Sequence, residues 1–176
     1  CKNGLVVSLQ EEPTAWQAAG ADVAAWASDN RQYYDLTRQD LACGYSNTQA
    51  LKAYNKANPG NKVLAVEHMP SEELPAATSG WYLPSYEELR QMAAAYETIK
   101  DKFEEAGGVA INATRPGYKV IESNPNSEDT YRYWSSTESS GSSAWGCAYQ
   151  FWNGGSGFSN MPKTRSHYLV RYIFAF

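Results

Sequence analysis

The chain has 176 residues, a net charge of −4 and only 19% charged residues, and its Lys and Arg residues are scattered. This pattern argues against nucleic-acid binding, which needs a concentrated basic face to meet the phosphates. Aromatic residues make up 14% of the chain, including 13 Tyr and 6 Trp, a composition typical of extracellular β-rich binding domains and unlike disordered chains. The length fits a single domain, residues 1–176.

The first predicted element is a strand at residues 4–9, GLVVSL, whose β-branched apolar residues indicate a buried strand. The following segment, up to about residue 43, has weak periodicity. We expect it to be irregular and anchored by Trp16 and Trp26, with a short helix around residues 20–27.

A helix is predicted in the segment YSNTQALKAYNKANPG at residues 45–60. Ser46 or Asn47 can cap its start, apolar residues recur on one face, and an Asn-Pro-Gly sequence ends it. The apolar run KVLAV at residues 62–66 is either a strand or an extension of this helix.

The clearest helix signal follows Pro84. Ser85 lies three residues before Glu88, which is the capping-box spacing. An apolar stripe then recurs at three- and four-residue steps as far as Phe103, so one helix face is predicted to meet a core, and a Gly-Gly pair ends the helix.

Residues 109–130 are predicted to form a loop. The polar stretch ESNPNSED at residues 122–129 carries oxygen ligands of the kind that calcium prefers. Its spacing matches no EF-hand, and we interpret it as a solvated turn. Neither a metal ion nor a cofactor is predicted.

The last third of the chain has strand-like segments at residues 131–137, 143–152 and 167–176, separated by Ser, Gly and Asn. The sequence NGG at residues 153–155 favours a hairpin, because Asn-Gly tolerates the positive φ angles of a tight turn. Helices followed by strands predict an α+β fold, with two helices packed on a small twisted antiparallel sheet with long loops.

Catalytic motifs are missing from the sequence. His68 and His167 are its two histidines, and it has no nucleophile elbow, zinc-binding helix motif or phosphate-binding glycine loop. We therefore predict that the protein is not an enzyme.

The three cysteines, Cys1, Cys43 and Cys147, form neither a metal-binding cluster nor a disulfide framework. A Cys43–Cys147 or a Cys1–Cys43 bridge is compatible with the sequence. Cys1 is also compatible with a lipid anchor, as in an acylated lipoprotein, although the apolar run begins at Leu5 and leaves no polar tether. The alternative is that Cys1 reflects processing of the chain.

The segment YWSSTESSGSSAWGCAYQFWNGGSGF, residues 133–158, sets Trp134, Trp145 and Trp152 among small polar residues. Two interpretations are open. The aromatic rings either fill a core beneath loops of small residues, or they stand on a surface that binds a partner.

Four stretches together resemble a known family: GLVVSL, GYSNTQAL, GWYLPSYEELRQM and the C-terminal pattern that runs from YWSSTE to VRYIFAF. In order and spacing they are similar to the bacterial DUF1566, or Lcl C-terminal, domain family. That resemblance implies a C-type-lectin-like fold, related to formylglycine-generating enzymes and to the variable proteins of diversity-generating retroelements. Many members are secreted or surface proteins of Bacteroidetes-like bacteria, some at the tips of pili.

The resemblance also implies roles for single residues. Trp81, Leu83 and Pro84 would fix the start of the capped helix, and Trp134 with its two following serines would form the strand beside it. The other matching framework positions, implied to be structural, are Trp145, Lys163, Val170 and Arg171.

The predicted binding face is formed by the C-terminal loops at residues 138–167. Aromatic side chains supply contact area at low entropy cost, while Ser, Asn and Gly supply adaptable hydrogen bonds. The predicted ligand-binding residues are Trp152, Phe158, Tyr149, Asn153, Asn160, Ser143, Cys147, Ser156, Arg165 and His167.

Diversified codons concentrate in this C-terminal segment in retroelement variable proteins. Gly146, Cys147 and Asn160 are among the residues here that adenine replacement can produce from Asn codons, which is compatible with diversification of this chain.

Two family signatures are missing. The paired motifs of calcium-dependent lectins are absent, so calcium-bridged sugar binding is not expected. Cys147 has no second cysteine near it in the sequence, which argues against formylglycine-generating activity.

The predicted function is therefore a non-catalytic ligand-binding module, an adhesin or receptor-binding domain, displayed outside the cell or on the outer cell surface. Its partner would be a host or bacterial surface protein or a glycan. The alternative is a structural tip or subunit domain of a pilus or envelope assembly, whose aromatic end docks on a partner subunit.

Overall fold

The computed structural model describes residues 4–30, 36–109, 132–149 and 156–176. Within these residues the helices alternate with irregular segments in the first two thirds of the chain. They are α1 (Val23–Asp29), α2 (Gly44–Ala57), α3 (Tyr86–Ala94) and α4 (Tyr96–Glu105), with one 3₁₀ turn at Leu64–Val66. None of these helices is long and apolar enough to cross a membrane.

The described strands lie mainly in the last third of the chain. They are β1 (Leu5–Val7), β2 (Glu12–Pro13), β3 (Arg132–Ser140), β4 (Ser143–Tyr149), β5 (Ser156–Pro162), β6 (Leu169–Val170) and β7 (Ile173–Ala175). One sheet has the order β2-β6-β3-β4-β5, and β1 pairs with β7 in a second, two-stranded sheet. The α+β class is confirmed.

Two details of the predicted architecture are wrong. Four helices, rather than two, are present among the described residues. The larger sheet is mixed rather than antiparallel, because β6 runs parallel to β3 through the Tyr133–Leu169 pair.

The larger sheet is covered on both faces. One core cluster contains Trp16, Leu51 and Trp134 and joins the sheet to α1 and α2. The other contains Leu89 and Tyr133 and joins the sheet to α3 and α4. Successive side chains of β3 point to opposite faces of a sheet, so Tyr133 and Trp134 serve different clusters.

The first strand differs from its prediction. β1 pairs with β7 and with no other strand of the described residues, and Leu5 is 43% exposed. The predicted buried strand is therefore a half-exposed strand of a small sheet. Apolar composition alone does not distinguish these two positions.

The second helix begins earlier than predicted. Its first residue is Gly44, and Asn47 is a buried residue inside it. Ser46 and Asn47 are therefore not its caps. The Gly44 N–H donates instead to the Glu88 carboxylate at 2.9 Å, so a side chain from another helix satisfies the start of α2. Its predicted end is confirmed, with Asn58 as the C-cap.

The capping box of Ser85 and Glu88 is confirmed, with both reciprocal hydrogen bonds present. The single long helix that the apolar stripe predicts is wrong, because it divides at Ala95 into α3 and α4. The run at residues 62–66 forms a 3₁₀ turn, and the segment around Trp26 forms α1, close to its predicted position.

Candidate functional site

The β4–β5 pair carries most of the predicted binding residues. Trp145 lies opposite Asn160, and Cys147 lies opposite Phe158. Directly opposed residues of antiparallel strands project from the same face. These four positions therefore share the face that α3 covers.

Three half-buried aromatic side chains meet on this face, and we call them the Tyr86 cluster. The Tyr86 ring centroid lies 5.4 Å from that of Trp145 and 4.9 Å from that of Phe158. Tyr86 is the first residue of α3, and its N–H donates to Thr137 Oγ1 at 3.0 Å. The cluster thus ties the start of α3 to the sheet, while its outer edges reach the surface.

The structure separates the other predicted residues. Asn160 is exposed beside the Tyr86 cluster, and Ser143 lies at the opposite end of β4 from Tyr149. His167 contacts Tyr168, with ring centroids 4.5 Å apart. Tyr168 packs in the core cluster on the α1 and α2 side of the sheet.

Cys147 does not lie on a binding surface. Its side chain is 0% exposed and packs in the cluster with Leu89 and Met92, below the first turns of α3. We therefore remove it from the predicted binding face. Cys43 and Cys147 are not bridged to each other, so the Cys43–Cys147 bridge that the sequence allows does not form.

Trp152 and Asn153, together with the predicted NGG hairpin, lie outside the described residues. The backbones of Tyr149 and Ser156 pair at the end of β4 and β5. Arg165 is half-buried in the segment after β5, where its N–H donates to the Pro162 carbonyl at 3.2 Å.

Two buried charge pairs lie between the layers, and each contains one residue that the family resemblance implied to be structural. Lys163 pairs with Glu138, and Arg171 pairs with Glu11. Glu138 also accepts hydrogen bonds from the Val23 and Ala24 N–H groups, which start α1. These buried charges hold elements together and are not available to a ligand.

Lys163 is held by several partners at once. Its Nζ donates to Glu138 and to the carbonyls of Ala21, at 2.6 Å, and Gly141, at 3.2 Å. It also lies 4.6 Å from the centroid of the Trp16 ring. Burial lowers the pKa of Lys163 and raises the pKa of Glu138, because desolvation disfavours both charges.

A second surface was not anticipated from the sequence. A groove with a volume of about 680 Å³ opens beside the two-stranded sheet, and Val6, Trp81 and Phe174 form part of its wall. We call it the Trp81 groove. Trp81 and Phe174 meet edge to face with ring centroids 4.9 Å apart. No short motif marks this groove, because its residues come from distant parts of the chain.

Acid–base chemistry is sparse in the described part of the chain. His68 is exposed at the rim of the Trp81 groove. No group of three or more His, Cys, Asp or Glu residues among the described residues is arranged to hold a metal ion. Burial raises the pKa of Cys43, with the Glu88 charge adding to the effect, so its thiol is poorly ionised.

The fold has a counterpart among solved structures. A crystal structure of a fimbrial protein from Bacteroides ovatus ATCC 8483 matches with a TM-score of 0.73 and 19% sequence identity, covering 98% of this chain and 36% of that chain. The chain thus spans little more than a third of the fimbrial protein that it resembles. No family model matches the chain, and no curated protein matches it.

Proposed function

We propose that this chain is a domain of a fimbrial or pilus component, displayed on the cell surface, that acts by assembly and binding rather than by catalysis. The observation that carries the proposal is the fold match, which extends over 98% of the chain. The sequence-based resemblance to domains found at pilus tips leads independently to the same class of protein.

The chemistry of the interior supports this proposal. Buried ionisable groups often indicate active sites, because catalysis needs perturbed pKa values in a cleft. Glu138, Lys163, Glu11 and Arg171 are instead paired between packed layers. Their role is that of a scaffold, which leaves exposed apolar surfaces as the places where a partner would bind.

The test is to locate the protein on cells that produce it. Antibodies raised against the folded domain would be used on appendages sheared from those cells, by immunoblot and by immunogold microscopy. The proposal requires the protein to be in the sheared fraction and on filaments. Its confinement to the cytoplasmic fraction, with none on filaments, would contradict the proposal.

A second candidate function is ligand binding through the Tyr86 cluster. The observation that favours it is that three aromatic rings reach the surface beside the exposed amide of Asn160. Aromatic faces next to an amide suit stacking on a sugar or insertion into a protein pocket.

A glycan and host-protein array tests this second candidate, probed with the folded domain in calcium and in chelator. We expect a calcium-independent hit that Asn160→Ala weakens without lowering the melting temperature, because that side chain is exposed. A hit that Asn160→Ala and Phe158→Ala leave unchanged would place binding elsewhere.

A further inference from the structure

The Trp81 groove has an apolar wall that the described residues leave uncovered. Val6 of β1 lies opposite Phe174 of β7, so both side chains project from one face of the two-stranded sheet. Trp81 contacts Phe174 on that face, and Met69 also lines the groove. The described residues thus leave an aromatic and aliphatic wall open to solvent, and such surfaces commonly mark interaction sites.

The groove continues past Trp81. A smaller depression of about 290 Å³ shares Met69, Pro70, Glu72 and Trp81 with it. The two depressions therefore adjoin at these shared residues. Two adjoining depressions suit an extended peptide segment better than a compact small molecule.

The charge at the groove selects the chemistry of such a segment. Glu12 and Glu72 are exposed carboxylates on its lining, and none of the described residues that line it is Lys or Arg. The third lining carboxylate, Glu11, is already paired with Arg171. Lys52 lies only on the smaller depression. An occupant of the larger groove therefore meets negative charge above an apolar wall.

One hydrogen-bond donor of the wall is unsatisfied. The Trp81 indole N–H is buried and has no acceptor among the described residues. Buried donors without a partner destabilise a structure, and the side chain that carries this one lines the groove.

We propose that the Trp81 groove binds an extended segment of a neighbouring subunit in the fimbrial assembly. The segment carries apolar side chains that pack on Val6, Trp81 and Phe174, and Lys or Arg side chains that face Glu12 and Glu72. The nature of the partner rests on the proposed function, whereas the chemistry of the groove does not.

The binding test uses two synthetic peptides with blocked ends. One alternates Lys with Val and Phe, and the other has Glu in place of every Lys. We expect the basic peptide to shift the indole N–H resonance of Trp81 in NMR spectra and the acidic peptide to leave it in place. The charge-reversed variant Glu12→Lys/Glu72→Lys should bind the basic peptide about tenfold more weakly.

A matched control is available in Asp29→Lys/Glu104→Lys. Both of these carboxylates are exposed, neither lines the groove, and the double substitution changes the net charge by the same amount. This variant should bind the basic peptide within about twofold of the unmodified chain, because the screened attraction of distant charges is weak. Equal losses in the two variants would overturn the proposal, since binding would then follow net charge alone.

The same variants separate this proposal from the proposed function. In cells, Glu12→Lys/Glu72→Lys should reduce the protein in sheared fimbriae about tenfold, and the control should not. Normal incorporation of the groove variant would refute the groove as an assembly site while leaving the fimbrial role intact. Peptide binding at Trp81 by a protein that is absent from fimbriae would retain the groove and refute the fimbrial partner.

Discussion

The buried Glu138–Lys163 pair gives the sharpest test of how this domain is held together. Both side chains are 0% exposed, and they connect β3, the segment after β5 and the start of α1. Lys163→Met removes the cation and leaves a buried carboxylate. We expect it to lower the free energy of unfolding by about 3–5 kcal/mol, the usual cost of leaving one member of a buried pair uncompensated.

The double variant Lys163→Met/Glu138→Gln separates charge from hydrogen bonding. Glutamine carries no charge and retains one oxygen, which can replace only one of the two carboxylate oxygens that accept from the Val23 and Ala24 N–H groups. The remaining loss is then three hydrogen bonds, two from Lys163 to carbonyls and one from a backbone N–H to the residue at 138, at about 1 kcal/mol each, or about 3 kcal/mol in total. The second substitution should therefore restore part of the stability that the first one removes.

Urea denaturation at fixed pH, with the slope of each transition compared, measures these differences. The exposed pair of Lys102 and Glu105 supplies the control, since Lys102→Met should change stability by no more than about 0.5 kcal/mol. If the double variant loses as much as the sum of its two single variants, the two charges are not coupled. The assignment of the pair as a connection between layers would then be wrong.

Three further predictions concern the sheet and the thiols. Gly146→Ala should lower the free energy of unfolding by at least about 2 kcal/mol in the same urea assay, because its Cβ would lie 2.6 Å from the backbone carbonyl oxygen of Tyr133, which cannot move away as a side chain can. Gly60→Ala should be tolerated, since nothing lies within 4 Å of the added Cβ. A stable Gly146→Ala protein would refute the packing of this sheet face. Phe158→Ala should lower the free energy of unfolding by about 2 kcal/mol, because the ring is half-buried against α3. An unchanged urea midpoint would show that the Phe158 side chain is purely exposed. Cys43 should react with iodoacetamide at pH 8 more slowly than free cysteine, because its pKa is raised, and Cys147 only after unfolding. Peptide mapping locates the alkylated cysteine. Fast alkylation of Cys147 in the native protein would contradict its burial and support a reactive thiol.

Local signals in the sequence predicted local structure well. The capping box at Ser85 and Glu88 is encoded within four residues, and it forms as expected. The division of the following helix at Ala95 is not encoded in this way, because no Gly or Pro lies there. Phe103 of the second half packs under the guanidinium of Arg171, 4.6 Å from its ring centroid, and such a long-range contact leaves no periodic signal.

The candidate site was harder to predict than the fold. Phe158 and Trp145 were assigned opposite roles, surface and core, yet both are half-buried in the Tyr86 cluster. Alternation along a strand tells which residues share a face but not whether a helix covers that face. The Trp81 groove joins residues near both ends of the chain with residues from its middle, so only the folded chain brings them together.

The two apolar surfaces have no residue in common, and this affects how the functions would combine. A fimbrial component that also binds a ligand needs one surface for its neighbours and another that stays free in the filament. Substitutions at Asn160 and at Glu12 with Glu72 alter exposed side chains on different surfaces, so each should change one property alone. If both properties change with either substitution, a single interface performs both tasks, and the chain would be better described as an adhesive subunit that assembles through its ligand-binding face.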